Sequence, residues 1–412
     1  MEILGSPYIV KDWLYCGGPC PSLYQWVNSA SRSTTLLSSC AQFRDRQVFG
    51  TYSGRSAAAL ACKTLGLAAG DEILVPTYNC GTEIDALIYA GAKLVFYDVS
   101  RKCEIDLESL MARKTSRTRA VYLIHYFGWE QPMRLLRQWC DSQGLWLIED
   151  CALALFSQGA SGGIGQTGDA AVFSIPKTLG TLHGGLLSLS KAHPIQFSHL
   201  TPADRTTLRN EILHSARAAG LNVAESLGLQ RILFAARRRM GSKDQPQTDD
   251  ATLSPMPPDY YFDASRHANR SLHPRVLSMV RSVSITEIVA RRRLNYLSLA
   301  SALCDIPEVK LLYPQLAEGV CPLSLPLLVG NRSACIEALL AKGIAAHPWW
   351  AGFHRSGLNW SDYPDACFLK KHLLTLPVHQ GLADDHMRYI ATTVIEVIKD
   401  FGRSTDRLSI SA

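Results

Sequence analysis

Between residues 53 and 190 short, nearly all-apolar segments alternate with segments of about ten residues that carry a helical period. The apolar runs are DEILVPTYN (71–79, stopping at Pro76), AKLVFYDV (92–99), RAVYLIHYFG (119–128), LWLIEDCAL (145–153), DAAVFSI (169–175) and GGLLSLS (184–190). Helical segments lie between them at 53–67, at 82–91 (closed by Gly91), at LESLMARK and at 133–144. Strands that are apolar on both faces need helices on both faces, which defines an α/β fold with a largely parallel sheet. In such sheets ligands sit beyond the carboxyl ends of the strands. The polar residues that close the apolar runs, Asn79, His125, Asp150 and Ser174, therefore mark the expected site.

The rest of the chain is organised differently. Residues 192–240 form a basic, helical stretch ending in ARRRMG, and 242–259 form a Pro- and Asp-rich loop. A long helix follows at 284–303, with Thr286 a possible cap, then a strand at 320–330 and helices at 332–343 and 389–401. A chain of 412 residues divides accordingly into a large domain (1–265) and a smaller α+β domain (266–412).

Composition bounds the function. With 47% hydrophobic and 19% charged residues the chain is a globular protein with ample core. A net charge of +6, thinly spread, suits an anionic small substrate and does not mark a nucleic-acid surface. The 12 cysteines include no CxxC pair and no zinc spacing, so no metal is expected. No secretory signal opens the chain and no apolar run is long enough to span a membrane. Many thiols without an export signal indicate a reducing, cytoplasmic setting.

Asp150 ends the strand LWLIED, with Glu149 beside it, and serves either as a helix cap or as a cofactor partner. Ser53, Gly54, Arg55 and Ser56 precede an alanine-rich helix whose first-turn N–H groups suit a phosphate. Lys177 follows the strand DAAVFSI directly after Pro176. A lone lysine there is by default a snorkelling one. Lysine, carboxylate and phosphate loop together meet the three needs of pyridoxal phosphate: an amine for a Schiff base, an acid partner for the ring nitrogen, and donors for the phosphate. His125 is either a packed, hydrogen-bonded histidine or a further residue of the same mouth, and His183 is read as a loop residue.

The ordered blocks SGRSAAAL, GDEILVPTYNCGTEIDAL, AGAKLVFYDV, AVYLIHYFG, GLWLIEDCALA, GDAAVFSIPK and GGLLSLSK resemble the DegT/DnrJ/EryC1/StrS sugar aminotransferases. The resemblance resumes at EIVARRRLNYLSLASAL and LTLPVHQGL, and covers roughly 45–190 and 265–400. It implies a fold-type-I pyridoxal 5'-phosphate enzyme with a mostly parallel seven-stranded sheet. Lys177 would be the Schiff-base lysine and the acid/base, and Asp150 the partner of the pyridine nitrogen. Gly54, Arg55 and Ser56 would hold the phosphate through the backbone, with the Ser174 hydroxyl. Cys80 stands where the family often has a ring-stacking aromatic residue. A homodimer with shared sites is implied, with Asn269 the candidate that reaches the partner's phosphate. The expected substrates are an amino donor such as glutamate and a keto sugar, most simply nucleotide-linked, in a biosynthetic pathway.

Besides Cys80, four features depart from the family pattern. Lys177 follows Ser174 by three residues instead of the usual five, although its distance to Gly184 and Gly185 is the usual one. Leu153 replaces the Gln or His that touches the cofactor's phenolic oxygen. The first 45 residues and the 192–259 insertion are unusual. These leave open other chemistry on a non-sugar intermediate, or a non-catalytic regulatory role. A dehydratase branch that replaces the lysine with histidine is disfavoured because Lys177 is retained.

Overall fold

The computed structural model describes residues 40–160, 162–192, 200–226, 262–350, 352–354 and 359–402. The segments around Cys16 and Cys20, the basic run Arg237–Met240 and the 242–259 loop lie outside them.

Seven strands build the large sheet: β1 (Arg46–Thr51), β2 (Glu72–Pro76), β3 (Lys93–Tyr97), β4 (Thr118–Ile124), β5 (Trp146–Asp150), β6 (Ala170–Ser174) and β7 (Gly185–Ser190). Their spatial order is β1-β7-β6-β5-β4-β2-β3, and two-residue strands at Arg270–Ser271 and Thr201–Pro202 extend the β1 edge to nine. From β6 through β3 every pairing is parallel, whereas β7 runs antiparallel to both β6 and β1. The helices α1 (Gly54–Thr64), α2 (Thr82–Tyr89), α3 (Leu107–Ala112) and α4 (Met133–Gln143) connect these strands.

The expected helix–strand rhythm is present from α1 to β7. The strand β1 is the exception, because RQVFGT is a half-buried edge segment and not an apolar run. In α1, Ala57, Ala58, Ala59 and Ala61 are fully buried. Small side chains let this helix lie close against β6 and β7, and so bring its N-terminus to the sheet's carboxyl edge.

A second, four-stranded antiparallel sheet contains β8 (Lys310–Leu311), β9 (Ser324–Leu328), β10 (His347–Pro348) and β11 (Leu373–Pro377), in the order β8-β9-β11-β10. The single turn α5 (Pro176–Leu179) joins β6 to β7, and α6 (Arg205–Ser226), a short helical turn at Ala264–His267, α7 (Pro274–Ser282) and α8 (Ile285–Leu303) lie between β7 and the second sheet in the chain. The remaining helices are α9 (Arg332–Ala341), α10 (Pro364–His372) and α11 (Asp384–Gly402). Helices α8, α9 and α11 share one apolar core with β9 and β11. The cap of α8 is Ser284, not Thr286: its Oγ accepts the Glu287 N–H at 3.4 Å. Ser284 is extended and stands three residues before a glutamate, the spacing of a capping box. No helix among the described residues is long and apolar enough to cross a membrane.

Candidate active site

Side chains alternate between the two faces of a strand. The registers Ile124↔Asp150 and Asp150↔Val172 put Asp150, Val172 and Ser174 on one face, the face on which α1 packs. Glu149 is thereby sent to the other face.

Asp150 is buried and fully engaged. Tyr122 Oη donates to its Oδ2 at 2.7 Å and the Ala152 N–H to its Oδ1 at 2.8 Å. Burial pushes its carboxyl above the ordinary carboxylate value, helped by the nearby Glu83 charge; Lys177 and the Tyr122 hydroxyl act against this. Asp150, Glu83 and Lys177 thus occupy one electrostatic neighbourhood.

Lys177 stands on α5, a single turn that opens with Pro176 directly after the strand. This abrupt join accounts for the short Ser174–Lys177 spacing. The proline presets a helical φ, so no linker is needed between strand and turn. The Lys177 Nζ lies 6.0 Å from the centroid of the Trp349 ring. The turn is held from below: the Thr178 carbonyl accepts from Arg292 Nη2 at 3.1 Å and from Gln380 Nε2 at 3.0 Å. Arg292, fully buried on α8, also donates to Gln380 Oε1 (2.8 Å) and to the Pro322 and Leu323 carbonyls.

The phosphate-type loop faces this turn. Ser53 caps α1, accepting the Ser56 N–H on its Oγ at 3.2 Å. The Ser56 amide is therefore engaged by the cap, and the Ser56 hydroxyl donates to the His267 carbonyl at 3.0 Å. A Cβ on Gly54 would lie 3.6 Å from Ser174 Cβ, so Ser174 borders the first turn of α1. A Cβ on Gly185 would fall 2.3 Å from the Ser53 carbonyl, which explains the glycine there.

Cys80 ends the loop after β2. Its thiol donates to Glu83 Oε2, while its backbone N–H donates to Glu83 Oε1 at 2.9 Å. Burial, reinforced by Glu83, pushes the thiol up to about 12. Asn79 is buried and bonds locally to the Pro76 and Thr77 carbonyls. Lys370 is a second buried amine near this loop, donating to the Asn79 carbonyl at 2.9 Å and the Gly352 carbonyl at 2.7 Å. Burial brings it down to about 8. Asn269 is exposed, and its carbonyl accepts the Thr201 N–H at 2.9 Å. Leu153 is buried in the apolar core.

His125 belongs to the opposite face. The Gln131 N–H donates to its Nδ1 at 3.2 Å, which leaves the proton on Nε2, donated to Glu149 at 2.9 Å. Glu149 also accepts from the Gly165 and Gly168 amides. His125, Glu149 and Cys151 could geometrically surround an ion, but these bonds occupy the histidine nitrogens and the carboxylate. His125 is thus a packed, hydrogen-bonded histidine.

Tyr122, Glu83, Arg292 and Trp349 escaped the sequence reading. Tyr122 alone had a local signal: it shares a strand face with Ile124, the register partner of Asp150.

The fold is shared with solved chains described as aminotransferases. A Streptococcus pneumoniae chain solved in its PMP form matches with a TM-score of 0.67 at 17% identity, over 94% of this chain and 98% of that one. Residues 26–192 match the model of the DegT/DnrJ/EryC1/StrS aminotransferase family. The GDP-perosamine synthase of Vibrio cholerae is 32% identical over 138 residues, 33% of this chain and 38% of that protein. The chain thus aligns with less than half the length of that relative. A longer match, 25% identical over 89% of each chain, is to the dTDP-4-dehydro-2,3,6-trideoxy-D-glucose 4-aminotransferase of Saccharopolyspora spinosa.

Proposed function

We propose that the protein is a pyridoxal-phosphate-dependent aminotransferase that moves an amino group from an amino acid, glutamate in the simplest case, to a nucleotide-linked keto sugar. The observation that carries this reading is the convergence of Lys177, the buried Asp150 and the first turn of α1 at one edge of the sheet. The donor set fits the cofactor: an amine, a carboxylate held by Tyr122, and a glycine-lined cradle in which Cβ atoms at 54 and 185 are missing.

When bound, pyridoxal phosphate supplies an electron sink for cleavage of a C–H bond next to nitrogen. The chain's own groups do the rest. Asp150 holds the proton on the ring nitrogen. The Gly54 and Arg55 amides and the Ser174 hydroxyl bind the phosphate, and the Ser53–Ser56 cap keeps that turn in shape. Lys177 Nζ would hold the cofactor and, once the substrate amine has displaced it, would be the free amine that carries a proton away from and back to the substrate. Cys80 borders the ring as a neutral thiol. Leu153 offers no donor to the phenolic oxygen. Asn269, exposed on its own chain, reaches the second site of a homodimer. The setting is the cytoplasm, a reading supported by free thiols at every described cysteine.

The test is product analysis by mass spectrometry with glutamate and a panel of nucleotide-linked keto sugars. An aminated sugar and 2-oxoglutarate are expected. Turnover of glutamate with no sugar aminated would move the reading to a non-sugar carbonyl acceptor.

A further inference from the structure

Glu211 lies on α6, in the 192–259 stretch that begins where the family match ends. It is fully buried, and among the described residues its carboxylate hydrogen-bonds the loop between the Lys177 turn and β7. Both oxygens accept the Leu182 N–H at 3.0 Å, and Oε1 also accepts the His183 N–H at 3.0 Å and a contact from His183 Nδ1. A carboxylate only accepts, so the contact fixes the proton on Nδ1. The His183 ring rests on Tyr52, with centroids 5.2 Å apart, and Tyr52 stacks on His267 at 4.5 Å. The next residue, Gly184, takes a φ of +132° that favours glycine. Its N–H donates to the Tyr52 carbonyl at 2.8 Å and its carbonyl accepts the Ile175 N–H at 3.0 Å. One loop thus connects Glu211 to both halves of the cradle: Tyr52, which precedes the Ser53 cap, and Ile175, which precedes the Lys177 turn.

We propose that Glu211 is a positioning residue for the cofactor site, through which helix α6 holds the 180–184 loop, and with it Lys177 and the Ser53–Gly54 turn, in the geometry that accepts pyridoxal phosphate. A buried carboxylate is costly unless hydrogen bonds compensate it, and among the described residues every hydrogen bond to Glu211 comes from this loop. Removing the carboxylate leaves the buried His183 N–H and the part-buried Leu182 N–H without this acceptor and releases the loop at the point where it meets both halves of the cradle. The proposal rests on Lys177 as the cofactor lysine.

The test compares wild-type protein with Glu211→Ala, Glu211→Gln and His183→Asn in two measurements. The first is the dissociation constant of pyridoxal phosphate, with the visible absorbance and circular dichroism of the bound cofactor. The second is amide hydrogen exchange over residues 180–185 without added cofactor. Glu211→Ala is expected to weaken cofactor binding and to speed loop exchange, each by about tenfold or more. Glu211→Gln, which keeps one acceptor oxygen, should fall between. A lower melting temperature with unchanged cofactor affinity, band position and dichroism would overturn the proposal, as would unchanged exchange in Glu211→Ala. If Glu211→Ala does not fold, Glu211→Gln and His183→Asn decide by the same criteria. Wild-type protein that binds no pyridoxal phosphate would instead defeat the functional reading, and the exchange comparison would still decide whether Glu211 holds the loop.

Discussion

Glu149 and Asp150 are adjacent in sequence and chemically alike, yet strand alternation gives them different surroundings. Glu149 faces a set of amides and His125 on one side; Asp150 faces Lys177 and Tyr122 on the other. Tyr122 is the residue-scale test of this assignment. Its hydroxyl favours the charged form of Asp150, so Tyr122→Phe should raise the Asp150 carboxyl further. A group that must be ionised then fails at a higher pH. The acid limb of the pH–rate profile is expected to move upward, with activity near neutrality lower by about tenfold, the worth of a hydrogen bond to a charge. Cys80 gives a second test. Its thiol, pushed up to about 12, should resist iodoacetamide at pH 8 in the native protein, while the exposed Cys304 is modified; peptide mapping by mass spectrometry checks this.

At the scale of elements, the strands from β2 to β7 and the helices between them were legible because burial on both faces leaves a continuous apolar run. The closing residues of those runs included Asp150 and Ser174 by the geometry of parallel sheets, whereas Lys177 was singled out only together with Asp150, the 53–56 loop and the family resemblance. What stayed illegible is non-local. Nothing in the sequence near Glu211 or Arg292 reveals that each hydrogen-bonds a loop around Lys177 more than 25 residues away. His125 was ambiguous for the same reason, since its partners, Glu149 and the Gln131 amide, are brought together by the fold. The contact of β7 with the α1 turn is testable at Gly185, where a methyl group would overlap the Ser53 carbonyl and the Gly54 nitrogen. Gly185→Ala should force the cradle apart, lower stability by about 1–3 kcal/mol and weaken cofactor binding together. Denaturant unfolding and cofactor titration on the same variant measure both.

At the scale of the whole molecule, the helix α8 and the segment after β11 meet the large sheet at Lys177. Arg292 and Gln380 both bond the Thr178 carbonyl, so the turn that carries the lysine is held by residues more than 100 positions further along the chain. Arg292→Met keeps the stem and removes the donors. It should lower the unfolding midpoint, by about 1–3 kcal/mol in stability, and reduce the fraction of lysine carrying cofactor. The resemblance to sugar aminotransferases supplied the roles of Asp150 and Lys177. The geometry adds contacts around them from Tyr122, which bonds Asp150, and from Arg292 and Glu211, which bond the loop segments around Lys177. The central claim is that Lys177 is the amine that holds the cofactor, and the most direct measurement is borohydride reduction of the protein with pyridoxal phosphate, followed by peptide mass mapping. The cofactor should be found on the Lys177 peptide and be lost from it in Lys177→Ala. Cofactor on Lys370, the other buried amine near the site, or on no lysine at all, would contradict the account.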